Sequence, residues 1–189
     1  MELTFDQKLK RIKELCLLQT STNPIRIAVA LMKDPVVSIH GPEHHILDGA
    51  AFLTALHNAG VDFDFSAALE ELECRGRKMP GATCGQWGMC GSASSVGAAL
   101  SILHATGPLS NNEFYKDNLL LVSTALGRIA HIGGPRCCKR NAFLSLKTAA
   151  EFVAEHYGIM LESDKISCDF SPRNQQCLGK KCPFFSGKQ

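Results

Sequence analysis

Pro80-Gly81-Ala82-Thr83-Cys84-Gly85-Gln86-Trp87-Gly88-Met89-Cys90-Gly91-Ser92-Ala93-Ser94-Ser95 is a glycine-rich loop that runs into a helix of small residues ending near His104. Small side chains let such a helix lie close against a neighbour. The N–H groups of its first turn have no intrahelical partner and stand beside Cys84 and Cys90. Helix punctuation continues on both sides. Thr4 and Gln7 form a capping box, after which Leu9, Ile12 and Cys16 share one face. Asn23-Pro24 opens a second helix to about Met32, and Pro35 ends it. A Gly41-Pro42 turn feeds a helix to about Asn58, closed by Gly60. Another runs from near Ser66 to about Cys74, with Leu69 and Leu72 inward. Ser110 and Glu113 suggest a cap for a helix through about Ala130, carrying Phe114, Leu121, Ala125 and Ile129 on one face. Gly133-Gly134-Pro135 breaks the chain, and Cys137-Cys138 opens the last long helix. That helix reaches Tyr157, with Phe143, Leu146, Ala150 and Val153 inward and Gly158 as its C-cap. No segment alternates long enough to require a sheet. The expectation is an all-α fold in one domain, 1–189, with a helical core at 1–162 and a cysteine-bearing irregular tail at 163–189.

A chain of 189 residues that is 45% hydrophobic has enough apolar surface for a core of its own. Its apolar runs are short, as at Leu119-Leu120-Leu121-Val122, so no membrane span is expected. The start of the chain is polar and acidic, without the build of a signal peptide, which places it in the cytoplasm. A net charge of +2, one Trp and two Tyr argue against nucleic acid as a partner.

Nine cysteines are the unusual number. An odd count cannot pair completely, and a reducing compartment disfavours disulfides. Cys16 falls on an apolar stripe and reads as core, and Cys74 among charged neighbours reads as surface. Cys84, Cys90, Cys137, Cys138, Cys168, Cys177 and Cys182 lie in turns or at helix starts, and at the helix starts of the first four a thiolate is expected to be favoured. No Cys-x-x-Cys pair of the zinc type occurs, whereas a cysteine followed by proline, as in Cys182-Pro183, suits iron–sulfur ligation. These features predict a [4Fe-4S] cluster, with zinc as the alternative. The tail has few large apolar residues beyond Phe170, Leu178, Phe184 and Phe185, so a metal bond from the tail is expected to hold it down.

Cys90-Gly91-Ser92-Ala93-Ser94 and Cys137-Cys138-Lys139-Arg140-Asn141-Ala142 resemble motifs of the catalytic domain of iron–sulfur L-serine dehydratases and, more loosely, of L-cysteine desulfidases. Gly41-Pro42-Glu43-His44-His45 is similar to a glycine–proline motif that lines the substrate site in the dehydratases, with the serines replaced. The whole chain also resembles an uncharacterised cysteine-rich prokaryotic family, sometimes found downstream of a methyltransferase domain. The dehydratase resemblance implies Cys84, Cys137 and a tail cysteine, Cys182, as metal ligands, with Cys90 able to replace Cys84.

Among polar candidates, His44 and His45 are natural bases, and Asp48 lies one turn from His44. Lys139 and Arg140 either meet a substrate carboxylate or are solvated cations. Trp87 either covers the site or anchors its loop to the core. His57, His104 and His156 read as structural. The expected function is a non-redox iron–sulfur enzyme of lyase, desulfidase or sulfur-transfer type. An open iron would act on a small hydroxyl- or thiol-bearing substrate, with His44, His45, Lys139 and Arg140 as catalytic residues. The alternatives are a closed-cluster accessory or electron-transfer module and a structural zinc domain. A methyltransferase or redox protein is the expected macromolecular partner.

Overall fold

The computed structural model describes residues 3–187. Its helices are α1 (Phe5–Leu17), α2 (Pro24–Lys33), α3 (His44–Asn58), α4 (Phe65–Arg77), α5 (Thr83–Gln86), α6 (Gly91–Leu103), α7 (Glu113–Ile132) and α8 (Cys138–Tyr157). Among the described residues the only β-type pairing is a single bridge between Cys168 and Phe185. The domain is therefore all-α. Met1, Glu2, Lys188 and Gln189, which fall within the expected domain limits, lie outside the described residues. No helix among the described residues is long and apolar enough to cross a membrane.

Local signals account for most boundaries. The Thr4 hydroxyl accepts from the Gln7 N–H, and the Gln7 side chain returns a bond to the Thr4 N–H. Asn23 accepts from the N–H groups of Ile25 and Arg26, with Pro24 in the first turn. Gly158 closes α8 at φ 67°, a left-handed conformation that costs glycine little. α4 runs past Cys74 to Arg77, and Glu71–Arg75 and Glu73–Arg77 pairs one turn apart support the added turn. Ser110 is not the cap of α7. Its hydroxyl accepts from the Gly107 N–H at 2.9 Å and closes the preceding turn, so α7 starts behind Asn112.

α3 is the central helix. It packs on α1, α2, α4, α6 and α8, and every residue from Ile46 to Leu56 is buried. A helix apolar on all sides must be covered on all sides. Its closest neighbour is α6. The Gly49 N–H donates to the Ser95 hydroxyl at 2.8 Å, and a Cβ on Gly49 would stand 2.5 Å from the Ser95 carbonyl oxygen. That approach explains the small residues of α6, and it brings the starts of α3 and α6 together.

The tail beyond α8 folds back over the start of that helix through turns at Ser171–Arg173 and Gly179–Lys181. Phe170 and Phe184 are buried, and Phe184 meets the Phe143 ring edge-on at 5.5 Å. Asn174 is also buried and accepts from His40 Nε2 at 3.0 Å. The expectation that a metal bond must hold the tail is corrected here. Among the described residues no ligand group converges on the tail, and its visible ties to the helices include the buried Phe170, Asn174 and Phe184.

Candidate functional site

Three helices begin around one small cavity. Its walls include His44 and His45 at the start of α3, Gly91 and Ser92 at the start of α6, and Cys138 and Asn141 in the first turn of α8. Thr83, Cys84 and Cys90 come from the glycine-rich loop, and Arg136 precedes α8. The enclosed volume is about 80 Å³, and no Asp or Glu lines it. His45 lies against Gly91, where a Cβ would overlap the imidazole. Glycine at this position is thus what admits the histidine. An open groove of about 670 Å³ adjoins the cavity, shares Ala82, Cys84, Arg136 and Asn141 with it, and adds Arg140.

Behind the cavity runs a buried polar chain. Lys139 is fully buried, and its Nζ donates to the Ser38 carbonyl at 2.9 Å and to His44 Nε2 at 3.0 Å. An ammonium here can only donate to Nε2, which leaves the His44 proton on Nδ1, facing Asp48 Oδ1 at 3.7 Å. The other Asp48 oxygen accepts a short bond from the Ser92 hydroxyl. Burial pulls the Lys139 ammonium down to about 8, although Asp48 and Glu43 favour its charge. Burial acts against the Glu43 carboxylate, yet N–H groups of Glu43 and Ser38 hold it below its ordinary range. Burial likewise lowers His45 and His40. His40 accepts from the Cys138 N–H at 3.4 Å and so donates through Nε2 to Asn174, fixing the tail to the start of α8.

Several buried polar atoms facing this region lack a hydrogen-bond partner among the described residues. They are Thr83 Oγ1 and Asn141 Oδ1 around the cavity, Arg140 Nε beside the groove, and, behind the cavity, His44 Nδ1 and Asp48 Oδ1, which face each other at 3.7 Å. The rest of Arg140 is engaged, donating to the Gly133 and Pro135 carbonyls at 2.8 and 2.9 Å. Native proteins rarely leave such groups unpaired, because each costs about 1–3 kcal/mol. A cavity that collects several of them is shaped for something polar.

Seven cysteines divide into two sets on either side of the α8 start. Cys84, Cys90 and Cys138 line the cavity, whereas Cys137, Cys168, Cys177 and Cys182 line a separate void of about 10 Å³ with Phe143, Leu178 and Phe184. Cys90 and Cys137 are the residues immediately before α6 and α8, and each sulfur accepts from an asparagine, Asn141 at 3.3 Å and Asn174 at 3.4 Å. Among the described residues no group of three or more His, Cys, Asp or Glu side chains is placed to hold a metal ion. This overturns the [4Fe-4S] cluster and the zinc alternative. The iron-dependent lyase, the closed-cluster module and the zinc domain fall with them. Cys84, expected to act with Cys137 and Cys182, faces the other cavity, and the tail sulfurs line a separate small void.

Other candidates fall where their environments put them. Cys16 is buried in the core and Cys74 is exposed. Trp87 is 68% exposed and anchors nothing. His57, His104 and His156 stack on Phe65, Phe114 and Phe152 at 4.5, 4.0 and 4.0 Å. Lys139 and Arg140 are buried rather than solvated. Arg136 carried no sequence signal as a site residue, and Thr83, Ser92 and Asn141 lay within the quoted motifs without being singled out. Their place becomes visible only when the three helix starts converge.

The class of molecule so defined is an all-helical domain with a thiol-lined polar cavity at the meeting of three helix starts. The chain belongs to a family of unknown function (DUF5714), whose model matches residues 12–185. No curated protein and no solved structure matches it.

Proposed function

We propose that this protein binds a compact anionic small molecule in the cavity where α3, α6 and α8 begin. The observation that carries the proposal is the lining itself: helix starts, unpartnered buried polar atoms and basic side chains, with no carboxylate among them. Helix N-termini favour negative charge, and here two of them belong to helices of 13 and 20 residues. A volume of about 80 Å³ suits a group the size of a carboxylate, phosphate or sulfate. A larger ligand would extend into the groove, where Arg140 Nε offers a second donor.

In this reading His45 meets the ligand through Nε2, since its Nδ1 faces the Met79 carbonyl, Arg136 guards the mouth, and Asn141 Oδ1 accepts from an acid O–H such as hydrogen phosphate carries. Lys139 acts through His44 by fixing its proton on Nδ1 and placing a positive charge behind the cavity. A nucleophilic thiol is the weaker reading. Burial pushes the Cys138 thiol up to about 11, so about one in a thousand molecules carries the thiolate at pH 8. Burial raises Cys90 too. The three motifs that border this cavity also support a distant kinship of fold with the dehydratase catalytic domain, without its cluster.

Thermal unfolding against inorganic phosphate, sulfate and acetate tests the proposal. A hundredfold excess over the dissociation constant stabilises the folded state by about 2.7 kcal/mol, or roughly 5–10 °C in Tm for a chain of this size. The shift should saturate and disappear in Asn141→Asp, which puts a carboxylate in the cavity wall. Equal shifts in both proteins would refute specific binding there.

A further inference from the structure

Cys137, Cys168, Cys177 and Cys182 are the chief set of reactive side chains that the anion cavity does not use. They surround one void of about 10 Å³ and are free thiols. Cys137 is buried at the start of α8, and its sulfur accepts from the Arg140 N–H at 3.4 Å and from Asn174 at 3.4 Å. Cys168, Cys177 and Cys182 are only half-buried, so a small oxidant in solvent can reach them. Cys137 shares the wall of that void with both Cys168 and Cys182.

We infer that this void is an oxidative modification site, at which a hydroperoxide drives a disulfide between Cys137 and Cys168 or Cys182. In the first step the tail thiol attacks the peroxide, slowly, because burial raises both Cys168 and Cys182 and so disfavours their thiolates. The O–O bond breaks, the sulfur becomes a sulfenic acid, and water or an alcohol leaves. In the second step Cys137 attacks that sulfur, the S–O bond breaks, an S–S bond forms and water leaves. Two electrons pass from the two thiols to the peroxide, and no other reactant is needed. The bond would staple the tail to the first residue before α8, beside the Asn174–His40 contact that already joins them.

The test uses the full chain, freshly reduced, treated with one equivalent of hydrogen peroxide and then alkylated. The expected result is the loss of two alkylated thiols from nine, with peptide mapping that places the bridge between Cys137 and Cys168 or Cys182. In Cys137→Ser the bridge should be lost, and a sulfenic-acid-specific nucleophile should then label the tail cysteine. Circular dichroism would check that this variant keeps its helices, and the wild-type map stands without it. No bridge, a bridge among Cys84, Cys90 and Cys138, a bridge confined to the tail, or one between chains would overturn the inference.

Discussion

Lys139→Met should change the pH dependence of stability in a definite direction. The ammonium titrates at 10.5 in the unfolded chain and at about 8 in the folded one, because burial in the polar chain behind the cavity disfavours its charge. Below pH 8 both states are protonated, and the folded state carries the full cost of a buried cation. Between about 8 and 10.5 the unfolded chain binds one more proton than the folded chain, so this lysine makes stability rise with pH. The rise is lost as a contribution only above the unfolded value, where both forms are neutral. The gap corresponds to roughly 3 kcal/mol in total, at most about 1.4 kcal/mol per pH unit. Methionine has similar length and no titrating group. Other groups titrate in the same range, so the quantity to follow is the wild type minus the variant. Urea unfolding at half-unit steps from pH 7 to 10 should show that difference growing by about 2–3 kcal/mol in favour of the wild type. Parallel curves for the two proteins would refute a buried lysine with a lowered pKa.

Other consequences concern the cavity and the packing that forms it. Phosphate affinity should fall severalfold between pH 7 and 9 as Lys139 loses its charge, and this fall should be absent in Lys139→Met by calorimetric titration. Gly91→Ala should displace His45 and weaken anion binding while the circular dichroism spectrum keeps its helical form. Gly49→Ala should push α3 and α6 apart and lower stability by about 1–3 kcal/mol, as overpacking in a tight core does, read by urea unfolding. Phe184→Ala should cost about 3–5 kcal/mol if its anchor is fully lost, and it should make the tail the first site of proteolysis.

Much of the helical layout was legible because its signals are local. Thr4 with Gln7, Asn23 with Pro24, and Gly158 each satisfy backbone groups within a few residues, so spacing alone announces them. Ser110 misleads for the same reason: its hydroxyl has a nearer backbone partner in Gly107. The cavity was half legible. Its motifs stood out as helix starts with cysteines, and His44, His45, Lys139 and Arg140 do gather near one place. What spacing does not encode is which way neighbouring side chains point. Cys137 and Cys138 are adjacent in sequence yet face different cavities, because successive residues at a helix start lie about 100° apart. The expected ligand set drew Cys84 from one side and Cys137 and Cys182 from the other and could not converge. Phe170 and Phe184 stand out in the tail's sequence as its large apolar residues, but spacing does not encode that both dock near the start of α8, Phe184 against Phe143 and Phe170 under Lys139.

The most direct measurement is calorimetric titration of inorganic phosphate, sulfate and acetate into the wild type, Arg136→Gln and Asn141→Asp. Arg136 is exposed at the cavity mouth, so its replacement leaves the fold intact. Saturable binding of at least one of these anions at one site per chain, weakened severalfold in Arg136→Gln and at least tenfold in Asn141→Asp, is the predicted result. Absence of saturable binding by all three anions, or binding unchanged in both variants, would contradict the assignment of an anion site to the meeting of α3, α6 and α8.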